Sequence, residues 1–206
     1  MIGIIDYGMG NLRSVQKALE LLGEDTVITS DFDTLLKCDG IILPGVGAFP
    51  DAIENIKTKR LDFAINEILA QNKPLLGICL GMQLLFDEGD EVKVCRGLSL
   101  IKGKVTRLQA NVKIPHMGWN NLKIVNQCKI LDGVKDNSYA YFVHSYLAVD
   151  MEEKDINAVT EYGTLIPAVV SNGNVYGTQF HPEKSGEIGM KILENFIKLT
   201  KQPERG

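Results

Sequence analysis

An α/β fold with a mostly parallel central sheet flanked by helices, and a β-rich second half, is what the 206 residues predict. Three observations carry this expectation. The first half alternates strand and helix patterns, the signature of parallel strands joined by crossover helices. Short apolar runs such as 74–78 suit strands buried in the interior. The second half changes to closely spaced short strand candidates, some separated by hairpin turn signals.

In chain order, 1–5 reads as the first buried strand and 6–11 as a turn. Leu12, Val15, Leu19 and Leu22 then recur at helical spacing, and Gly23 ends that helix. Residues 26–29 and 39–43 are the second and third strands, the third running into Pro44-Gly45-Val46-Gly47. Helical pattern covers 49–71 with one break near 57–60. The run 74–78 is the fourth strand, and 80–86, free of β-branched residues, suits a helix. Beyond it, 98–101, 105–108, 122–125, 139–143, 158–161, 168–171 and 175–179 are short strand candidates. Hairpin signals stand at Lys102-Gly103 and Asn172-Gly173-Asn174. A last helix spans 187–201, with Ile188, Ile192, Leu193, Phe196 and Ile197 in one stripe, and 201–206 reads as a frayed tail. No repeat, low-complexity tract or linker interrupts the chain, so one domain over 1–206 is expected.

Composition narrows the function. A net charge of −4 argues against a nucleic-acid binder, which would show a basic domain or stripe. No run of about 18 apolar residues is present, so no membrane span is expected, and the first residues lack the pattern of a signal peptide. Cys38, Cys79, Cys95 and Cys128 are widely spaced and form no C-x-x-C, which points away from a disulfide framework or a zinc site and toward a reducing cytoplasm. No cluster has metal-ligand spacing, and no cofactor is expected. Gly8-Met9-Gly10-Asn11-Leu12-Arg13 begins like a dinucleotide fingerprint, with Asp25 and Asp31 near the acidic position. Arg13, however, stands where the third small residue belongs.

The chemistry centres on Gly77-Ile78-Cys79-Leu80-Gly81, a G-x-C-x-G between a strand and a helix. This is the cysteine form of a nucleophile elbow, whose flanking glycines let strand and helix close on a strained central residue. A thiol there sits at a helix N-terminus, where the dipole favours the thiolate. A cysteine nucleophile needs a base. Of His116, His144 and His181, the last follows a strand and leads into Pro182-Glu183. Functional groups of a doubly wound sheet gather at the carboxyl ends of strands, so Cys79 and His181 are expected at one rim. Glu183 is placed to orient the imidazole, as the third member of a triad does. Acyl transfer also requires an oxyanion site. The Leu80 N–H and the glycine-rich Pro44-Gly45-Val46-Gly47 are the candidate donors. Trp119, the only tryptophan, lies in Pro115-His116-Met117-Gly118-Trp119-Asn120, a polar setting that suits a surface contact.

Gly77-Ile78-Cys79-Leu80-Gly81-Met82-Gln83 together with His181-Pro182-Glu183 resembles the triad, or class I, glutamine amidotransferases. Three further motifs are similar to those of the glutaminase subunits of imidazole glycerol phosphate synthases. They are Asp6-Tyr7-Gly8-Met9-Gly10-Asn11-Leu12, Pro115-His116-Met117-Gly118-Trp119-Asn120 and Phe142-Val143-His144-Ser145-Tyr146. The resemblance runs nearly the whole length and implies a flavodoxin-like sheet and a thioester mechanism. In it Cys79 attacks the glutamine amide, His181 moves the proton and Glu183 orients His181. It further implies that Gly47, Gln83, His144, Ser145 and Tyr146 line the glutamine pocket, and that Asn11, Trp119 and Lys184 face a partner. That partner would be a (β/α)₈-barrel cyclase in a heterodimer, making imidazole glycerol phosphate and aminoimidazole carboxamide ribotide for histidine biosynthesis. Residues 87–97, with Cys95 and Arg96, and Leu165 depart from the pattern of that family. If triad and sheet fill the chain, the acceptor site for ammonia belongs on another chain. Two other readings compete: a glutaminase feeding a different synthase, and a catalytically silent binding subunit on the same fold.

Overall fold

The computed structural model of the chain describes residues 1–109 and 111–201; the expected tail lies, beyond Lys201, outside the described residues. The first half runs β1 (Ile2–Ile5), α1 (Leu12–Leu21), β2 (Thr26–Thr29), α2 (Phe32–Leu36), β3 (Gly40–Gly45), α3 (Phe49–Thr58), α4 (Leu61–Ala70), β4 (Leu75–Cys79) and α5 (Leu80–Gln83). There follow β5 (Glu88–Gly89), β6 (Cys95–Arg96), β7 (Lys104–Arg107), β8 (His116–Ile124), β9 (Ser138–His144) and β10 (Tyr146–Val149). The chain ends with β11 (Ile156–Glu161), β12 (Leu165–Asn172), β13 (Val175–Thr178) and α6 (Gly186–Thr200), with 3-10 turns at Lys129–Leu131, Glu153–Asp155 and Pro182–Lys184.

Nine strands form one sheet in the order β2-β1-β3-β4-β13-β12-β11-β8-β9. The five from β2 to β13 are mutually parallel. The remaining four extend the sheet by antiparallel pairing, so the whole is mixed, its parallel part made of the four strands of the first half and of β13 from the second. A smaller sheet, β10-β7-β5-β6, packs beside it. Strand side chains alternate between two apolar layers. Ile5, Ile41, Leu43 and Leu75 pack with Leu35 of α2, Ile53 and Ile56 of α3 and Ile65 and Ile68 of α4. Ile2, Ile4, Ile42, Leu76 and Ile78 pack with Val15 and Leu19 of α1 and with Ile192, Leu193 and Phe196 of α6. Burial on both faces is why these strands read as unbroken apolar runs.

Several expectations change. The break in 49–71 falls at Arg60, which adopts a left-handed φ of 57° between α3 and α4. Helix α2 was not foreseen; the Asp31 carboxylate accepts from Thr34 N–H at 2.9 Å and starts it, so Asp31 is a helix cap rather than a ribose ligand. The helix expected over 80–86 stops at Gln83, and 98–101 is not a strand. These two corrections share one cause. The amides of Leu98, Ser99, Leu100 and Ile101 donate to the carbonyls of Leu84, Phe86 and Leu85, satisfying the end of the turn after α5 instead of a neighbouring strand. Without a strand before it, Lys102-Gly103 makes no hairpin. Asn172-Gly173-Asn174 does join β12 to β13. The strand expected at 122–125 runs from His116 to Ile124 and takes in all of the P-H-M-G-W-N motif but Pro115.

Candidate active site

Parallel pairing of β3, β4 and β13 brings three loops to one rim. Gly45 stands opposite Cys79, and Thr178 opposite Ile78, so the oxyanion candidates, the cysteine and the turn carrying His181 are neighbours through the sheet register. The elbow is tight because its glycines have no side chain. A Cβ on Gly77 would come 2.6 Å from the Gly81 carbonyl oxygen, and one on Gly81 would collide with the Leu43 carbonyl oxygen. Cys79 itself has φ 55° and ψ −112°, a strained conformation for a side-chain-bearing residue. With α5 only four residues long, the dipole expected to act on the thiol is smaller than a helix to Phe86 would supply.

The turn after β13 is pinned to β9. His181 N–H donates to the Tyr141 carbonyl at 3.1 Å, the Ser185 hydroxyl donates to the His181 carbonyl at 2.7 Å, and Tyr141 N–H donates to that same hydroxyl oxygen at 3.0 Å. His181 Nδ1 lies 2.8 Å from Glu183 Oε1, both side chains almost wholly buried. Burial alone would push the His181 pKa down. Its hydrogen bonding and charge interaction with the Cys79 sulfur and with Glu183 outweigh that and raise it to about 9. Among the described residues Nε2 of His181 has no hydrogen-bond partner of good geometry, which leaves it to be used by a reacting group.

Around these groups is a cavity of about 350 Å³, lined by Val46, Gly47, Cys79, Leu80, Gln83, Glu91, Pro115, Val143, His144, Ser145, Tyr146 and His181. Every expected pocket residue is therefore brought to it. A larger open depression, about 1120 Å³, lies among Pro74, Asn174 and Cys128 at the amino ends of β4 and β13, remote from this rim. Three contacts around the cavity and the nucleophile are not among those the sequence led us to expect. Glu91, in the departing 87–97 stretch, holds its carboxylate at the cavity edge by accepting Phe49 N–H at 2.7 Å. Gln179 is fully buried, with its amide nitrogen 4.0 Å from the Cys79 sulfur. Val143 offers its carbonyl to that sulfur at 3.8 Å.

Trp119 is 56% exposed, on the outward face of β8. With exposed Met117 and Tyr139 it makes an apolar ladder across β8 and β9, its ring 6.0 Å from that of Tyr141. Asn11 precedes α1 at the carboxyl end of β1, and Lys184 is exposed in the 3-10 turn after His181. Among the described residues no group of three His, Cys, Asp or Glu side chains is close enough to hold a metal ion. No described helix is long and apolar enough to cross a membrane. The four thiols are free.

A cysteine elbow and a buried His–Glu pair on one rim of an α/β sheet are the arrangement that thiol hydrolases use. The chain belongs to the class-I glutamine amidotransferases (Glutamine amidotransferase class-I), whose family profile matches residues 3–199. Within that family it is 52% identical to the imidazole glycerol phosphate synthase subunit HisH of Bacillus cereus (strain G9842), over 95% of this chain and 93% of the relative. It is equally similar to the subunit of that name from Bacillus thuringiensis (strain Al Hakam), at 52% over the same shares. Among solved structures, a glutamine amidotransferase shares the fold with a TM-score of 0.77 at 19% identity, covering 98% of this chain and 99% of that one. PurLQS from Thermotoga maritima does so with a TM-score of 0.72 at 21% identity, covering 96% and 97%.

Proposed function

We propose that the chain is the glutaminase subunit of an imidazole glycerol phosphate synthase. It hydrolyses glutamine to glutamate and ammonia and hands the ammonia to a separate cyclase subunit, for histidine biosynthesis. The observation that carries the chemistry is the His181–Glu183 pair, 2.8 Å apart, facing the same cavity as the Cys79 elbow. Near-full-length identity to the HisH subunits carries the assignment to this synthase. Residues 1–206 act as one amidotransferase domain, supported by the two apolar layers that cover the nine-stranded sheet, one of which also takes in Val105 and Ala148 of the smaller sheet.

Glutamine enters with its side-chain amide at Cys79 and its α-ammonium toward the Glu91 carboxylate, the one acidic group among the described residues that line the cavity. With the proton on His181, the Cys79 sulfur attacks the amide carbon. The new oxyanion takes hydrogen bonds from the Leu80 N–H and from the Val46–Gly47 loop, each good donor lowering the barrier by about 3 kcal/mol. His181 Nε2–H gives its proton to the departing nitrogen, ammonia leaves and a thioester remains. His181 then takes a proton from water, whose oxygen attacks the thioester to release glutamate and the sulfur. Glu183 holds the ring and supports its charge throughout.

Asn11, Trp119 and Lys184 face the partner, a (β/α)₈-barrel cyclase seated over the cavity mouth; the exposed ladder of Met117, Trp119 and Tyr139 suits such a contact. Sealing the mouth matters because ammonia released into water becomes ammonium. A thiol nucleophile that must stay reduced fits a cytoplasmic setting. Gly47, with φ 112°, and half-exposed Val46 make a loop whose peptides rotate at little cost. The isolated chain is therefore a poor glutaminase, and partner plus acceptor substrate order the loop. The test is glutamate release by the chain alone, with the cyclase, and with the cyclase and its nucleotide substrate. Stimulation at each step is expected; full-rate release by the lone chain, or no release in the complete mixture, rejects the reading.

A further inference from the structure

Two histidines outside the triad form an ordered chain of hydrogen bonds behind the cavity wall. His116 and His144 are register partners on β8 and β9, exposed only 2% and 6%. His116 is sandwiched between Phe142 and Tyr162, with ring centroids 4.8 and 4.1 Å away. The order of the protons follows from the groups at the ends. Asn120 Nδ2 lies 2.9 Å from the Glu161 carbonyl, which can only accept, and Asn120 Oδ1 accepts Asn121 N–H at 2.9 Å. The amide is thus oriented from both sides. Its second hydrogen faces His116 Nε2 at 3.2 Å, and an amide nitrogen cannot accept, so that Nε2 is bare. His116, if neutral, then carries its proton on Nδ1 and donates to His144 Nε2 at 2.9 Å. His144 in turn carries its proton on Nδ1 and donates to the Tyr146 carbonyl at 2.9 Å. Either ring in the other tautomer, or with an added proton, sets two N–H groups face to face or withdraws a donor. Burial keeps both rings neutral, lowering the pKa of His116 and taking that of His144 down to about 4.

Beyond Tyr146 the same network reaches the nucleophile. Gln83 Nε2 donates to the Tyr146 carbonyl and to Gln179 Oε1, both at 3.1 Å, and Gln179 Nε2 points to the Cys79 sulfur at 4.0 Å. We propose that His116 and Asn120 are positioning residues for glutamine binding: they lock His144 as its Nδ1–H tautomer and so hold the Tyr146 carbonyl and the 143–146 wall of the cavity in place. The proposal rests on the glutaminase reading for its kinetic consequence, but not for the proton order itself. Without the His116 donor, His144 is free to move its proton to Nε2, the more common position in a free histidine, and the Tyr146 carbonyl loses one of its two donors. Gln83 still holds the sulfur end, so the loss falls on substrate fit rather than on chemistry.

The test has two parts. The chain contains three histidines, so nitrogen-15 NMR of histidine-labelled full chain at neutral pH resolves each ring. His116 and His144 are expected as neutral Nδ1–H rings with bare Nε2; an Nε2–H tautomer at either overturns the proposal, whatever any variant does. The second part is His116→Phe in the complete synthase, which keeps the aromatic sandwich and removes the donor. Removing one hydrogen bond behind the wall is expected to raise the KM for glutamine about tenfold with kcat within about twofold. Cyclisation driven by added ammonia is expected to stay unchanged, and His144 to lose its fixed Nδ1–H signal. An unchanged KM, or a loss confined to kcat, overturns the proposal. If wild-type synthase releases no ammonia from glutamine, the functional reading fails while the NMR result stands on its own.

Discussion

Cys79 is held at φ 55° by the elbow, and the conformation that costs an ordinary residue about 1–3 kcal/mol costs glycine little. This reverses the usual order of two substitutions. At most buried strand ends alanine is the more stable by about 0.5–1 kcal/mol; at position 79 glycine is expected to be more stable than alanine by about 1 kcal/mol. Denaturant midpoints of Cys79→Gly and Cys79→Ala check it, and a more stable alanine variant means the strain is absent. Glu183→Gln is the matching test of the buried pair. Gln keeps the shape but not the charge that supports the His181 imidazolium, so kcat for glutamine hydrolysis in the complex is expected to fall about 10²- to 10⁴-fold with KM little changed. A fall under about threefold would show that the carboxylate does not act on the ring. Cys79, His181 and Glu183 were legible because each lies in a short local pattern at or just after the end of a strand. Glu91, Gln179 and the His116–His144 link were not, because contacts between distant segments give them their places: Glu91 meets Phe49 42 residues away, and Gln179 meets Gln83 across 96.

Strands enforced by burial on both faces were readable to within two residues, as β1, β3 and β4 show, and α1 and α6 were readable from a single apolar stripe. The failures cluster where backbone groups are satisfied locally. The 98–101 run looks like a strand by composition, yet its amides close the turn after α5. Helix α2 is too short for periodicity to reveal and depends on its Asp31 cap. The elbow is the element on which the site depends, and its weak point is Gly81. A Cβ there meets the Leu43 backbone, and backbone cannot step aside as a flexible side chain would. Gly81→Ala is expected to cost about 3 kcal/mol or more in stability and to abolish glutamine hydrolysis, because relief of the clash must move α5 and the Leu80 N–H with it. Thermal unfolding and glutaminase assays of the variant check this. Near-wild-type values in both would mean β3 and α5 separate easily, against the packing seen here.

At the scale of the molecule, the buried histidines make stability a function of pH from both sides. His144 is buried and neutral, its pKa taken from 6.5 to about 4 by desolvation. Between those values the unfolded chain binds the proton and the folded chain does not, so this contribution is complete above about 6.5 and lost as pH falls toward 4. A displacement of that size amounts to about 3 kcal/mol. His116, lowered by burial, acts in the same direction. His181 acts in the opposite one. Desolvation is outweighed by Cys79 and Glu183, and the folded pKa of about 9 exceeds the unfolded 6.5. Its contribution is complete below about 6.5 and lost as pH rises toward 9. Carboxylates protonating in acid steepen the acid limb, so the wild-type curve alone does not isolate His144. The difference between wild type and His144→Gln does, since glutamine does not titrate. Denaturant unfolding of both chains from pH 4.5 to 9 is expected to show a maximum near neutrality for wild type and a flatter limb below pH 6.5 for the variant, with the alkaline limb shared. Parallel acid limbs would place the His144 proton equilibrium outside the folding reaction and remove the neutral, buried ring on which the geometry of the cavity wall depends.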